Sequence, residues 1–166
     1  YGSLEFTLDG SVTEDLTINS SYTWSHSWGN TEGLVKTDNG QADPGWTTSY
    51  DYGDLMDHSS GDLPNDRRHS FKVSGSYRIT EDLSLGFASR INSGTPVSKL
   101  SWHPFDEGRC AEGNIWDSCI SYYYDDASFY DADGNPAPRG SAGRTPWTKE
   151  IDLSLLYQFN CCRRCI

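Results

Sequence analysis

Positive charge is scarce in this sequence. Its 166 residues include 13 Lys and Arg against 24 Asp and Glu, which gives a formal net charge of −11. A nucleic-acid binder needs clustered Lys and Arg to neutralise phosphates, so we expect no nucleic-acid partner. The same shortage argues against a basic helix that lies on a membrane surface.

Long apolar runs are also missing. Hydrophobic residues make up 35% of the sequence, and no run approaches the roughly 18 apolar residues of a transmembrane helix. Aromatic residues are plentiful, with 6 Trp and 10 Tyr, whereas disordered chains are usually poor in aromatics. This combination predicts strands that have one apolar face and one polar face.

Apolar and polar residues alternate along five segments of the chain. A period of two is the signature of a β-strand, and no segment of similar length shows the spacing of a helix. Leu156 is the one clear exception, because it falls on the polar side of the last segment. The pattern predicts an all-β, antiparallel meander of about five long strands. The alternating segments are 4–8, 16–25, 71–80, 83–92 and 151–159.

The connections between these segments are of two kinds. The stretches 12–18 and 79–85 match almost position for position, and each joins two alternating segments through a tight turn, which predicts two β-hairpins. Residues 29–67 and 93–147 show no sustained period, although compact domains seldom contain irregular loops longer than about 15 residues. Short turns on one side and long loops on the other are typical of an outer-membrane β-barrel. A soluble antiparallel sheet packed on a core would give the same alternation and remains the alternative.

We expect a partial β-barrel at residues 1–159, followed by a Cys-rich tail at 160–166 whose origin the sequence leaves open. The chain starts without Met or a basic leader, and its last strand is followed directly by the tail, so we expect a fragment. The expected parts of the barrel are a hairpin at 1–28, a loop at 29–67, a hairpin at 68–92, a loop at 93–147 and a strand at 148–159.

Three further stretches resemble one known family. Leu63–Phe71 leads into a strand through Asp-Arg-Arg-His, Ile91–Val97 leaves the next strand, and Asp133–Trp147 leads into the last strand through Gly-Arg-Thr-Pro-Trp. This order is similar to the C-terminal barrel region of Oar-like TonB-dependent outer-membrane receptors, over most of residues 1–159. The resemblance implies part of a barrel of about 22 strands filled by an N-terminal plug. It also implies location in the bacterial outer membrane, long extracellular loops, and uptake of a large solute such as a peptide, siderophore or glycan.

The resemblance has consequences for partners. The sequence includes no plug, so we expect contact with the TonB complex only through a plug that is missing here. Five strands are too few to close a barrel, and an open edge in lipid leaves backbone groups unpaired. We therefore expect outer-membrane lipid, and the remainder of the barrel or other chains, as partners. The alternative is a secreted or surface all-β module that holds glycan or peptide.

Aromatic residues in the long loops are the candidate ligand contacts. Aromatic side chains are favoured at recognition surfaces because they bury much area with few rotatable bonds. The same side chains can instead pack the loops against each other. The candidates are Trp46, Tyr50, Tyr52, Trp102, Trp116, Tyr122, Tyr123 and Tyr124.

The loops contain other groups with specific expectations. Cys110 and Cys119 lie nine positions apart, and an external, oxidising compartment favours a disulfide between them. We interpret the many acidic residues of 31–66 as a solvated surface, with weak cation binding as the alternative. Asp131–Asn135 is interpreted as a β-turn rather than a calcium loop.

Catalytic and metal-binding patterns are not indicated. The four His lack the spacing of a zinc site, and neither a nucleophile elbow nor a phosphate-binding loop occurs. The three Cys of the tail have no fourth ligand nearby. We expect no enzymatic activity, no metal and no cofactor. We expect Arg67 and Arg68 to pair with carboxylates of the barrel or loops.

Overall fold

The computed structural model describes residues 1–33, 35–38, 43–44, 56–101, 104 and 128–159. These residues are all-β, as the alternation predicted. None of them belongs to a helix long and apolar enough to cross a membrane. The predicted Cys110–Cys119 disulfide and the tail at 160–166 lie outside the described residues.

Five of the described strands are 10 or 11 residues long, which confirms the prediction of about five long strands. The others are two residues each. In chain order the strands are β1 Gly2–Ser11, β2 Leu16–His26, β3 Trp28–Gly29, β4 Val35–Lys36, β5 Asp43–Pro44, β6 Gly61–Asp62, β7 His69–Arg78, β8 Leu83–Asn92 and β9 Thr148–Tyr157.

The five long strands form one sheet in the order β1-β2-β7-β8-β9. The pairs β2–β7, β7–β8 and β8–β9 are antiparallel. The two repeated stretches form equivalent turns, since Val12 donates its amide to the Leu16 carbonyl at 2.8 Å and Ile79 donates to Leu83 at 2.9 Å. The expected hairpins are therefore present, and each has a short turn.

The register of the sheet separates an apolar face from a polar face. Gly75 pairs with Phe87, and Phe87 pairs with Leu153, so these three lie in one row of the apolar face. The neighbouring row of the polar face contains Ser74 and Asp152. Because side chains alternate along a strand, successive rows lie on opposite faces of the sheet. Leu156 pairs with Ser84 and lies on the polar face, as the sequence predicted.

The apolar face of the sheet is uncovered. Leu4 is 60% exposed, Ile151 74% and Leu153 72%. A soluble sheet of this kind would bury such residues against a second layer. An apolar surface of this extent marks contact with lipid or with a partner.

A second compact unit contains Tyr1–Gly2, His26–Asp66 and Gly94–Pro146, while the sheet belongs to a unit of Ser3–Ser25, Arg67–Ser93 and the chain from Trp147 onward. In the second unit β3 pairs with β6 and β4 pairs with β5. Its described apolar core is small and consists of Phe129, Tyr130 and Ala137. The described parts of the segments that sequence periodicity left as irregular loops thus include buried side chains.

Candidate functional site

Aromatic side chains lie at both ends of the apolar face. At the loop end, the rings of Tyr22 and Phe71 are stacked with centroids 4.6 Å apart. At the turn end, the rings of Tyr157 and Phe159 meet edge to face at 4.7 Å. A ten-residue strand at about 3.3 Å per residue, tilted by about 40°, spans about 25 Å, which is the height of the apolar band of a membrane barrel. Aromatic residues are enriched at both edges of such a band.

The polar face contains four charged side chains close together on three neighbouring strands. Lys72 pairs with Arg90, and Arg90 pairs with Glu150, so one row contains two positive charges and one negative charge. Asp152 lies in the next row. All four line a shallow groove along the sheet. The polar face is therefore a water-exposed surface of mixed charge.

Arg139 is the centre of a buried polar cluster in the second unit. Its side chain is 2% exposed and forms an ion pair with Asp38, whose side chain is completely buried. Glu32 adds a second carboxylate at 3.8 Å. Arg139 Nε donates a hydrogen bond to the Ser59 carbonyl at 2.6 Å, and the guanidinium lies 4.6 Å from the ring centre of Phe129. These contacts compensate the desolvation of the guanidinium.

Arg144 joins two other acidic residues of the same unit. It donates a hydrogen bond to Asp62 at 2.9 Å and forms an ion pair with Asp66, whose side chain is also completely buried. Arg144 also donates to the Gly94 carbonyl at 3.0 Å. The Ser27 amide donates to the second oxygen of Asp66 at 2.6 Å. One arginine thereby connects backbone segments that are far apart in sequence.

The titration of Glu32 follows from its burial and from the hydrogen bonds that it accepts. Burial raises the pKa of this carboxyl, but hydrogen bonds from the Thr37 hydroxyl and from the Thr37 and Asp38 amides favour its ionised form, and its pKa lies below the ordinary value of 4.5. The backbone bonds are 2.8 Å and 3.0 Å long. Glu32 is therefore ionised at neutral pH and holds the Thr37–Asp38 backbone through those bonds.

The sequence of this two-faced sheet and its loops matches one known family. The family described as the outer membrane beta barrel domain matches residues 1–96. The chain belongs to this family. It is also 31% identical over 159 residues to the TonB-dependent transporter Oar of Myxococcus xanthus, an alignment that covers 93% of the chain but 13% of that relative. No solved structure matches the chain.

Membership in the barrel family explains the uncovered apolar face. In an outer-membrane barrel the outward side chains meet lipid and the inward side chains meet water. The sheet thus has its apolar face toward lipid and its polar face, with Lys72 and Arg90, toward the lumen. The predicted resemblance to Oar-like receptors and the predicted location in the bacterial outer membrane are confirmed.

The site residues predicted from sequence fall outside the described residues of the barrel domain. This holds for all eight loop aromatics and for both cysteines of the predicted disulfide. They are Trp46, Tyr50, Tyr52, Trp102, Trp116, Tyr122, Tyr123, Tyr124, Cys110 and Cys119. Their proposed roles remain predictions.

The interpretation of the acidic loop residues as a solvated surface is wrong for Asp38 and Asp66. Both side chains are completely buried as counterions of arginines. The physical reason is that a buried guanidinium must be paired with a carboxylate. Arg67 also differs from expectation, because it donates to the Ser93 carbonyl at 2.8 Å and thus binds a backbone acceptor.

The turn predicted at Asp131–Asn135 is present. The Asp131 carboxylate accepts hydrogen bonds from the Asn135 amide at 2.8 Å and from the Asp133 amide at 3.1 Å. The bond from the Asn135 amide is the main reason that the pKa of Asp131 lies below its ordinary value. Gly134 has a φ of 79°, which glycine adopts without strain. The carboxylate therefore binds its own turn.

Sequence reasoning missed Arg139 and Arg144 as organising residues. A signal was present for Arg144, because Gly-Arg-Thr-Pro-Trp and Asp-Arg-Arg-His both belong to the stretches that carry the resemblance. The structure joins them, since Arg144 of the first binds Asp66 of the second. Nothing in the local sequence distinguished Arg139 from a solvated loop arginine.

Proposed function

We propose that this chain forms part of the barrel wall of a TonB-dependent transporter, and that its long loops help to select a large solute for uptake. The observation that carries the proposal is the two-faced sheet, which has an uncovered apolar side and a charged polar side. The relative that supports it is a TonB-dependent transporter, and the chain spans 13% of its length. A peptide, a siderophore or a glycan is the proposed class of solute.

The proposed partners follow from the edges and faces of the sheet. β1 and β9 are the outer strands of the described sheet, and an unpaired edge within lipid is costly. We infer that the remainder of the barrel, or other chains, pairs with both edges. Contact with the TonB complex would come through a plug. The names of the family and of the relative support a role without catalysis.

The loop residues named from sequence retain their proposed roles. Trp46, Tyr50 and Tyr52 in the first loop, together with the aromatics of the second loop, are proposed ligand contacts. A Cys110–Cys119 disulfide would restrain the second loop by limiting its unfolded conformations. Both roles belong to the water-exposed, ligand-selecting side of the proposed transporter.

The orientation of the wall can be tested with two adjacent cysteine substitutions. Ser74 lies on the polar face, and Val73 lies on the apolar face with 38% of its surface exposed. In intact outer membranes we expect a small charged thiol reagent to label Ser74→Cys and a lipid-soluble reagent to label Val73→Cys. The unsubstituted protein gives the background from its own cysteines. Equal labelling of both variants by the charged reagent would contradict a wall with one face in lipid.

Uptake needs a separate experiment. Cells with and without the gene are offered a fluorescent peptide, a ferric siderophore and an oligosaccharide, each with and without an uncoupler of the inner-membrane proton gradient. We expect one class to accumulate only in energised cells that carry the gene. Accumulation of no class, or accumulation that the uncoupler does not change, would contradict the transport proposal.

A further inference from the structure

One lysine interrupts the apolar face of the sheet. Lys149 pairs with Ile91, and Ile91 pairs with Phe71, so the lysine belongs to an apolar row. By the same register, the other Lys, Arg, Asp and Glu residues of β7, β8 and β9 lie on the polar face. A cation on the lipid-facing side therefore needs a specific explanation.

The position of Lys149 along β9 indicates its depth. It lies two residues after Trp147 and next to the loop end of the sheet. A lysine is costly at the middle of a membrane barrel but costs little near the interface. Its long side chain can extend its ammonium group to the headgroups. In this family the long loops are on the extracellular side, so the headgroups concerned are those of the outer leaflet.

Lys149 has an exposed side chain. It takes part in none of the ion pairs found among the described residues. A positive charge at a membrane surface attracts anionic headgroups. The Lys149 ammonium can thus bind an anionic headgroup of the outer leaflet.

A flat aromatic pair lies on the same face and at the same end. The rings of His69 and Trp147 are stacked, with centroids 6.0 Å apart and planes 9° apart. Tyr22 Oη is 2.9 Å from His69 Nδ1. When the tyrosine hydroxyl donates in this bond, the ring proton is on Nε2, which is then a donor. Trp147 is 48% exposed, so the pair presents ring surface together with a polar group.

We propose that Lys149, His69 and Trp147 bind the phosphorylated sugar headgroup of the outer-leaflet glycolipid. Lys149 binds the phosphate, and the aromatic pair packs against the face of the sugar ring. A glycolipid fits better than a phospholipid because a phospholipid would use the cation but would leave the aromatic pair without a ring to contact. This site is on the lipid side of the wall and is separate from the solute path.

The test measures lipid binding to the full chain purified from outer membranes in detergent. Native mass spectrometry is used to titrate the protein with diphosphoryl lipid A, with its dephosphorylated form, with phosphatidylglycerol and with inorganic phosphate. We expect tightest binding of diphosphoryl lipid A. Lys149→Ala should weaken it by about fivefold, the effect of one basic side chain at an anionic surface, and Lys149→Arg should restore it.

Two further variants separate the phosphate from the sugar. Lys72→Ala removes the same charge from the opposite face and should leave lipid A binding unchanged. Trp147→Leu should weaken the binding of lipid A without affecting the binding of phosphatidylglycerol. Folding of each variant is checked by heat-dependent gel mobility, and Lys149→Gln replaces the alanine variant if that variant does not fold.

The outcomes that overturn the proposal are specific. They are equal losses with Lys149→Ala and Lys72→Ala, equal binding of the phosphorylated and dephosphorylated glycolipid, or equal binding of lipid A and phosphatidylglycerol. The last result would mean that the face binds any anionic lipid. Failure of solute uptake would not affect this test, because the test depends on the family and not on the transport proposal.

Discussion

At the scale of single residues, two arginines organise the described interior of the second unit. Arg139 and Arg144 each connect buried carboxylates with backbone carbonyls. Removal of one member of a buried pair leaves the other charge without compensation, and this is far more costly than loss of an exposed pair. The stability of the unit should therefore depend on a few charged side chains.

Replacement of Arg139 tests this dependence. Arg139→Met keeps most of the volume but removes the buried ion pair with Asp38, and we expect a loss of about 3–5 kcal/mol in the local free energy of unfolding. Arg78→Met is the control, because Arg78 and Asp15 form an ion pair whose side chains are 54% and 49% exposed. An exposed pair is worth about 0–1 kcal/mol. Hydrogen exchange of amides near each site measures both losses, and similar losses would contradict the proposed role of burial.

The effect of pH on the same cluster has a definite sign. The pKa of Glu32 is lower in the folded chain than its ordinary value of 4.5, so Glu32 stabilises the folded chain above pH 4.5. That contribution is lost as the pH falls below 4.5 and through the folded pKa. We expect the Thr37 and Asp38 amides to keep their protection against exchange from pH 7 to 5, and to lose it at lower pH.

Glu32→Gln is the control for this titration. Glutamine keeps an acceptor oxygen but cannot titrate, so its contribution should be independent of pH. The exchange rates observed in the folded chain are compared with intrinsic rates, which are measured on the unfolded chain at each pH. A variant that loses protection over the same pH range and to the same extent as the parent would show that other carboxylates control the transition.

At the scale of the strands, close packing across β2, β7 and β8 depends on one glycine. A Cβ atom added to Gly75 would collide with the Thr17 carbonyl of β2 and with the Phe87 ring of β8. Phe87 thus covers the bare backbone of Gly75, and this arrangement pins the register of the two strands. Gly86 is different, because its nearest obstacle is the Ser154 side chain, which can rotate away.

Alanine at position 75 should therefore destabilise the sheet. We expect Gly75→Ala to cost about 1–3 kcal/mol, the range for overpacking. Gly10→Ala is the control, because nothing lies within 4 Å of a Cβ atom at that position. Urea unfolding in micelles compares the two variants. Combination of Gly75→Ala with Phe87→Leu should recover part of the loss, and no recovery would show that the Thr17 carbonyl alone is the obstacle.

At the scale of the whole molecule, the two faces of the sheet should differ in how well they tolerate an added charge. Leu153 lies in the middle of β9 on the apolar face, and its neighbour Ser154 lies on the polar face. An arginine on the lipid face at mid-membrane costs about 2–4 kcal/mol in a barrel, while an inward arginine meets water. We expect Leu153→Arg to lower the amount of folded protein in the outer membrane.

Ser154→Arg is the matched control and should be close to the parent in amount. Heat-dependent gel mobility of the isolated outer-membrane fraction measures the folded protein in each case. An equal decrease for both variants would mean that the faces are not divided between lipid and lumen. A larger decrease for Ser154→Arg would reverse the assignment of the two faces.

The parts of the site that could be predicted are those marked within a short stretch of sequence. The turn at Asp131–Asn135 follows from residues within five positions, and Asp66 and Arg144 both lie in stretches that carry the family resemblance. Their contact could not be predicted, because 78 positions separate the two residues. Arg139 and Asp38 are 101 positions apart, and no local pattern connects them.

The sequence alone determined the five long strands, their two faces and the two tight turns. Each of these follows from the period of two and from turn residues close together, which act on the backbone locally. Only the tertiary structure decided which acidic residues are buried and which strands are neighbours across the long loops. Those features depend on register and on pairing between distant segments, where the free energy comes from contacts that form only once the chain has folded.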